Sequence, residues 1–325
     1  MPQKRYVFGV IAATTIFCNL PVLAQTTHFP SRPVRIIVGF LPGSSTDMFA
    51  RFVGARLGER LGQQIVVDNR PGANGIIAGD LTAKANADGH TMLLMSVSHT
   101  MSAAVYQKLP YHPVKSFTPI AMLGAGPLVL VTHPSFVASG IKEVIELAKA
   151  KPNALTYATA GIGGINHFGG ALFARATGVQ LTQVSYKGGA PALADVIGGQ
   201  VTFMWGTMPL SLAQIRAGKV KALGITSGKR SPLLPELPTI AESGVPGYEI
   251  STWWGILAPA GVAAPIVSKL NAEISAIITQ PDAARRLSAE GAAPWPLSSA
   301  AYATILHSEI EKWTKVAREA GIRTD

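Results

Sequence analysis

The sequence predicts an α/β protein of two lobes, built from mixed sheets flanked by helices, with two strands crossing between the lobes. Three observations carry this reading. Short apolar runs alternate with segments of helical period along most of the chain, the pattern of strands followed by covering helices. Two stretches rich in Gly and Pro interrupt that alternation, and each reads as a passage from one lobe to the other. Finally, the 325 residues exceed one ordinary domain and fit roughly two.

The elements follow in order. VRIIVGF (34–40) reads as a buried strand and 41–45 as a turn. Met48, Phe49, Phe52, Val53, Leu57 and Leu61 then recur at helical spacing. QIVVD (64–68) is a strand, NRPGANG a loop, 76–85 a helix and TMLLMS (91–96) a third strand. Two apolar runs, 120–123 and 128–131, are separated only by Gly-Ala-Gly-Pro, as expected of one bent strand passing between lobes. The alternation restarts with helices at 139–150, 166–177, 191–197 and 210–217 and strands at 155–159, 183–186, 201–205 and 220–226. SGKRSPLLPELPTIAESGVPG (227–247) is the second passage. A strand at 252–258 and helices at 264–279, 282–289 and 299–320 close the chain. The division this implies is 25–125 plus 232–325 for one discontinuous domain, with 126–231 inserted as the other. No short-period repeat is visible, which argues against a solenoid.

The N-terminus reads as a signal peptide over residues 1–24. Lys4 and Arg5 precede an uncharged apolar stretch, and Val22-Leu23-Ala24 is a small-residue cleavage site. Export to the periplasm is the expected consequence. The single cysteine, Cys18, lies in that segment. A mature chain beginning near Gln25 would have no disulfide, thiolate metal site or cysteine nucleophile. The formal charge is +10, and removal of Lys4 and Arg5 leaves 10 − 2 = +8. The basic residues are scattered and form no aromatic-interleaved platform, so no nucleic-acid partner is expected. A diffuse positive field attracts small anions, or simply serves solubility.

Chemistry is sought at the carboxyl ends of the strands, where open α/β sheets bind ligands. Three strand-to-helix junctions are rich in Gly, Ser and Thr. The first holds Gly43, Ser44, Ser45, Thr46 and Asp47. A helix opening here leaves first-turn amides free for an anion, and Asp47 suits the same helix dipole. Taken alone, it is better read as an ordinary helix cap. The second, ATAGIGGINHFGG (158–170), contains Ala160, Gly161, Ile162, Gly163, Asn166 and His167. It fails the dinucleotide fingerprint, because Asn166 stands where the third Gly is needed, and it lacks the P-loop lysine. Its glycines still let backbone amides approach a ligand. His167 invites a rival reading, a secreted α/β hydrolase or transferase, although no Ser, Asp or Glu is placed by sequence to complete a triad. The third junction is Lys187, Gly188, Gly189 and Ala190, followed by Pro191 at a helix start. Ser98, after the third strand, joins the candidate set. The seven histidines show no metal-ligand spacing, and neither a Gly-x-Ser-x-Gly elbow nor His-Glu-x-x-His is present; Ser139-Gly-Ile-Lys142 matches Ser-x-x-Lys, but Ser139 there is best read as a helix cap. No metal and no cofactor is expected.

Long stretches of the chain resemble one family. FPSRPVRIIVGF, PG, TD, VVDNRPGANG and ADGHTMLL are similar to the first domain of the Bug family, the periplasmic solute receptors of tripartite tricarboxylate transporters. So are YQKLPYHPVKSFTPIAML, LTYATAGIGGINHFGG, VSYKGGAPALADVIGGQV, the segment from IRAGKVKALGITS to GVPGYE, and WWGILAPAGVAAPIVSKLN. The resemblance covers essentially all of residues 29–321, in order. It implies a Venus-flytrap receptor, monomeric and not an enzyme, that grips a small carboxylate between its lobes. The grip is implied at 43–47 and 160–167, with 187–190 completing the pocket, and delivery to the transporter's membrane subunits or to a sensor. Two departures stand out. Ser44 and Ser45 replace a commoner Gly-x in the first loop. Trp205-Gly206-Thr207 stands where many relatives carry Phe-Asp-Asn or similar, which removes a carboxylate and adds an indole. An indole in the cleft would suit an aromatic, terephthalate-like ligand; an indole in the core would not bear on the ligand. Trp253-Trp254 raises the same question, since neighbours on a strand face opposite ways.

Overall fold

The computed structural model describes residue 1 and residues 29–323. The signal-peptide reading and Cys18 therefore lie, Met1 aside, outside the described residues.

Each apolar run becomes a strand whose flanking periodic segment folds back over it. The first lobe opens with β1 (Val34–Val38), α1 (Ser45–Leu61), β2 (Ile65–Asn69), a 3₁₀ turn (Ala73–Gly75), α2 (Ile76–Ala83), β3 (Thr91–Ser96) and α3 (Ser98–Val105). The long strand β4 (Phe117–Thr132) leads into the second lobe. That lobe contains α4 (Ile141–Ala150), β5 (Thr156–Thr159), α5 (Ile165–Thr177), β6 (Thr182–Ser185), α6 (Gly189–Ile197), β7 (Phe203–Thr207), α7 (Met208–Arg216) and β8 (Lys221–Ile225). The chain returns through β9 (Ser251–Pro259), α8 (Ala264–Thr279), α9 (Pro281–Ala289), β10 (Ala293–Pro294) and α10 (Ser299–Ala320).

The strand order is β2-β1-β3-β9-β4-β7-β5-β6, with β8 and β10 also on β4. Parallel pairs join β1 to β2 and β3, and β5 to β6 and β7, while β9 and β4 run antiparallel to their neighbours. Residues 117–127 of β4 pair with β9 in the first lobe's sheet. Residues 128–132 pair with β7 and β8 in the second. The Gly-Ala-Gly-Pro segment thus continues the strand, with Ala125 opposite Trp253 and Gly126 opposite Thr252. Its glycines admit a third backbone. A Cβ on Gly126 would stand 2.2 Å from the Gly291 carbonyl oxygen, and one on Gly124 2.8 Å from that of Ala293.

Packing separates into three apolar clusters. One lies under β1, α1, β9 and α8, with Ile36, Leu57, Ile256 and Ile274 fully buried. Another fills the second lobe around Val131, Ala158, Val196 and Met204. The third spans both lobes, where Trp313 of α10 meets Phe168 of α5 edge-on at 5.2 Å between ring centres.

Several elements differ from the sequence reading. β7 ends at Thr207 rather than 205, so Thr207 closes a strand and caps α7. Helix α3 was not anticipated: SHTMSAAV is small and polar, and burial of nearly every residue, rather than an amphipathic period, holds it. Gly140, not Ser139, is the cap of α4, and the Ser139 amide donates to Glu143 instead.

Candidate functional site

Between the lobes lies a cleft with about 430 Å³ of empty space, part of it open to solvent. The first lobe supplies Phe40, Ser44, Ser45, Thr46, Ser96 and Ser98, and the hinge supplies Thr252 and Trp254. The second lobe supplies Ala160, Ile165, Asn166, Gly189, Met204, Thr207 and Leu210. No lining side chain carries a charge.

Helix starts define this space. α1 begins at Ser45, α3 at Ser98, α5 at Ile165, α6 at Gly189 and α7 just after Thr207, and each of these residues lines the cleft. The first turns of a helix leave amides without intrahelical partners, and the peptide dipoles make that end positive. Only α1 among the five has a side-chain cap, from Ser44 to the Asp47 amide at 3.2 Å. The hydroxyls of Ser45, Thr46 and Ser98 make no hydrogen bond among the described residues, so they are free to serve a ligand. The arrangement is a basin of donors with positive potential and no cationic side chain.

The first loop is held by Asp47, which is nearly fully buried behind the helix start. Its carboxylate accepts from the Gly43 amide at 2.9 Å and Asn69 at 3.0 Å, and pairs with Arg51 at 2.9 Å. Burial pushes its carboxyl up, but the hydrogen bonds from Arg51, Gly43 and Asn69 together with the Arg51 charge outweigh that and hold it below the ordinary carboxylate value. Asp47 and Gly43 thus shape the loop without lining the cleft.

The second loop is knitted internally as well. Asn166 donates through its side chain to the Trp205 carbonyl and accepts from the Ala160 amide at 3.4 Å. The Nδ1 of His167 accepts from the Gly163 amide at 3.2 Å. Burial lowers the His167 pKa to about 4, so the ring is neutral at pH 7. His167 is not a lining residue, and no serine or carboxylate bonds to it.

The remaining candidates divide between the cleft and its edge. Gly161, Ile162 and Lys187 line a groove of about 550 Å³ that shares Phe40 and Ala160 with the cleft. Gly163 rests on Val105 and Gly188 on Leu41, both across the lobes. Ala190 lies in the first turn of α6, outside the cleft lining.

Trp205 requires a correction. Its indole does not face the cleft. It is fully buried among Tyr157, Phe173 and Phe203, with Gly169 giving it room. β7 places Met204 on the cleft side, so the neighbouring Trp205 points the other way. The same alternation on β9 sends Trp253 into the shared core against Tyr302 and brings Thr252 and Trp254 to the cleft. Phe40, Ser96, Ile165, Met204 and Leu210 went unnamed in the sequence. They are common residues brought together only by tertiary folding, and strand alternation around Trp205 was the one signal that pointed to Met204.

Two lobes joined by a shared strand, closing on a basin of backbone donors, define a solute receptor. Comparison with known proteins agrees. Residues 49–322 match the model of the tripartite tricarboxylate transporter family receptor. The chain belongs to that family. It is 39% identical to a Pseudomonas sp. (strain P51) protein encoded between tcbD and tcbE, over 98% of this chain and 94% of that one. Among solved structures it is similar to R. palustris Rpa4515 with adipate, at 37% identity and a TM-score of 0.89, covering 91% of this chain and 99% of that one. It is also similar to MatC from Rhodopseudomonas palustris with bound malate, at 35% identity and a TM-score of 0.85, covering 89% and 99%. Both of those structures hold a carboxylate and share this fold.

Proposed function

We propose that this chain is a periplasmic receptor that captures a small carboxylate in the inter-lobe cleft and delivers it to the membrane subunits of a tripartite tricarboxylate transporter. The observation that carries this is the convergence of five helix starts on a cleft without a charged side chain. A carboxylate satisfies free amides and hydroxyls there and gains from the aligned dipoles. An amino group would find no carboxylate to meet it. The apolar wall of Phe40, Ile165, Met204, Leu210 and Trp254 supports a ligand with an apolar body, linear or aromatic. Trp254, rather than Trp205, now carries the aromatic, terephthalate-type reading. The hydrolase alternative loses its base, since His167 is turned to the Gly163 amide and lacks a nucleophile.

Isothermal titration of the protein with aliphatic, aromatic and amino carboxylates tests the reading. Saturable binding of acids with apolar bodies is expected, with a melting temperature that rises with ligand concentration. If no carboxylate binds or stabilises the protein, the reading is wrong.

A further inference from the structure

Two buried donors of cleft-lining residues have no partner among the described residues. The indole N–H of Trp254 is buried and forms no hydrogen bond, in a residue only 1% exposed. The hydroxyl of Thr207 is likewise buried and unpaired. Both residues line the cleft. Thr207 is unusual for its position. It caps α7 in extended geometry, yet its side chain makes no cap hydrogen bond: Pro209 offers no N–H and the Leu210 amide is not used. An unmade hydrogen bond at a buried group is costly, so two at one cavity call for an explanation.

Their placement supplies one. Trp254 sits on β9 directly opposite Ser96 of β3, in the first lobe's sheet. Thr207 ends β7, opposite Leu128 of β4, in the second lobe's sheet. Trp254 belongs to the strand floor at the hinge and Thr207 to the end of β7, where α7 begins, whereas Ser45, Thr46 and Ile165 lie in the first turns of α1 and α5. An indole N–H can only donate, and no acidic side chain stands beside it in the lining.

We infer that Trp254 and Thr207 determine specificity by donating to an oxygen acceptor at the ligand's second end. The ligand class is a carboxylic acid with an apolar middle and a second acceptor, either another carboxylate or a carbonyl. The same set rejects an ammonium at that end, since nothing in the lining neutralises it. This rests on the carboxylate-receptor reading and specifies the far end of that site.

The test uses matched probes on the full chain: adipate, hexanoate and 6-aminohexanoate, with terephthalate, 4-methylbenzoate and 4-(aminomethyl)benzoate as the rigid series. Wild type is expected to favour the dicarboxylate over its methyl analogue by roughly tenfold or more in at least one series, with the ammonium analogue weakest. Thr207→Val and Trp254→Phe are each expected to cut that preference several-fold, weakening dicarboxylate binding more than methyl-analogue binding. Thr207→Val keeps side-chain volume, and melting curves confirm folding of both variants. An unchanged preference in the folded variants, or tight binding of an ammonium analogue, overturns this inference and leaves the receptor reading standing. Failure of wild type to bind any of the six probes overturns this inference, while the receptor reading falls only if no carboxylate at all binds.

Discussion

His167 is a histidine held without its proton. Burial lowers its pKa to about 4, against an ordinary 6.5. Between those values the unfolded chain binds a proton that the folded chain refuses. Stability should therefore fall as the pH drops from about 6.5 towards 4, and show no His167 contribution above that window. The slope from this residue is at most about 1.4 kcal/mol per pH unit. His99, whose pKa burial also lowers, adds to it with the same sign. Urea denaturation at several pH values should show a shallower acid slope in His167→Gln than in wild type. An identical slope would mean that His167 is not shielded as its surroundings indicate. Asp47 acts lower on the scale. Its depressed pKa gives stability that is present above about 3.8 and lost as the pH falls below it.

The element that most constrains the molecule is β4. Gly126 touches the backbone at Gly291, and an added methyl would sit 2.2 Å from that carbonyl oxygen. Gly126→Ala should therefore destabilise the protein by about 1–3 kcal/mol, read as a lowered midpoint in chemical denaturation. A neutral result would show that the 291–292 segment moves aside at little cost. β4 also marks the limit of what the sequence reveals. Apolar runs on either side of Gly-Ala-Gly-Pro pointed to a strand between lobes. That the glycines stay paired, because a further strand lies across them, depends on residues more than 160 positions away. Helices with strong apolar period, such as α8 and α10, were readable to the residue. The buried, polar α3 was not. Of the cleft, the Gly- and Ser-rich helix starts could be read because that composition exposes amides. The apolar wall could not, because Met204 and Leu210 look like any core residues until the fold turns them inward.

At the scale of the whole molecule, the lobes meet as a closed pair. Tyr106 of the first lobe donates to the Ile162 carbonyl of the second at 3.3 Å. Asn74, whose side chain donates to Ser102 at 2.9 Å, reaches across to the glycine loop. A Cβ on Gly164 would stand 2.9 Å from its side-chain oxygen. Gly164 has an extended backbone that any residue adopts. Gly164→Ala should thus fold normally and close poorly. The expected result is roughly tenfold weaker ligand binding with the ligand-free melting temperature nearly unchanged, and a smaller ligand-induced compaction in X-ray scattering. Full compaction and affinity would show that the Asn74 contact does not limit closure.

The charge-free lining of the cleft has a consequence for how the receptor reports on its ligand. None of the residues around the cavity can gain or lose a proton near neutrality. Any variation of affinity between about pH 5.5 and 9 then traces the ligand's own titration curve. Ordinary carboxyl groups titrate at about pH 4, below that range, so a carboxylate ligand should bind with constant affinity from about pH 5.5 to 9, and a step within the range would report a ligand group other than a carboxyl.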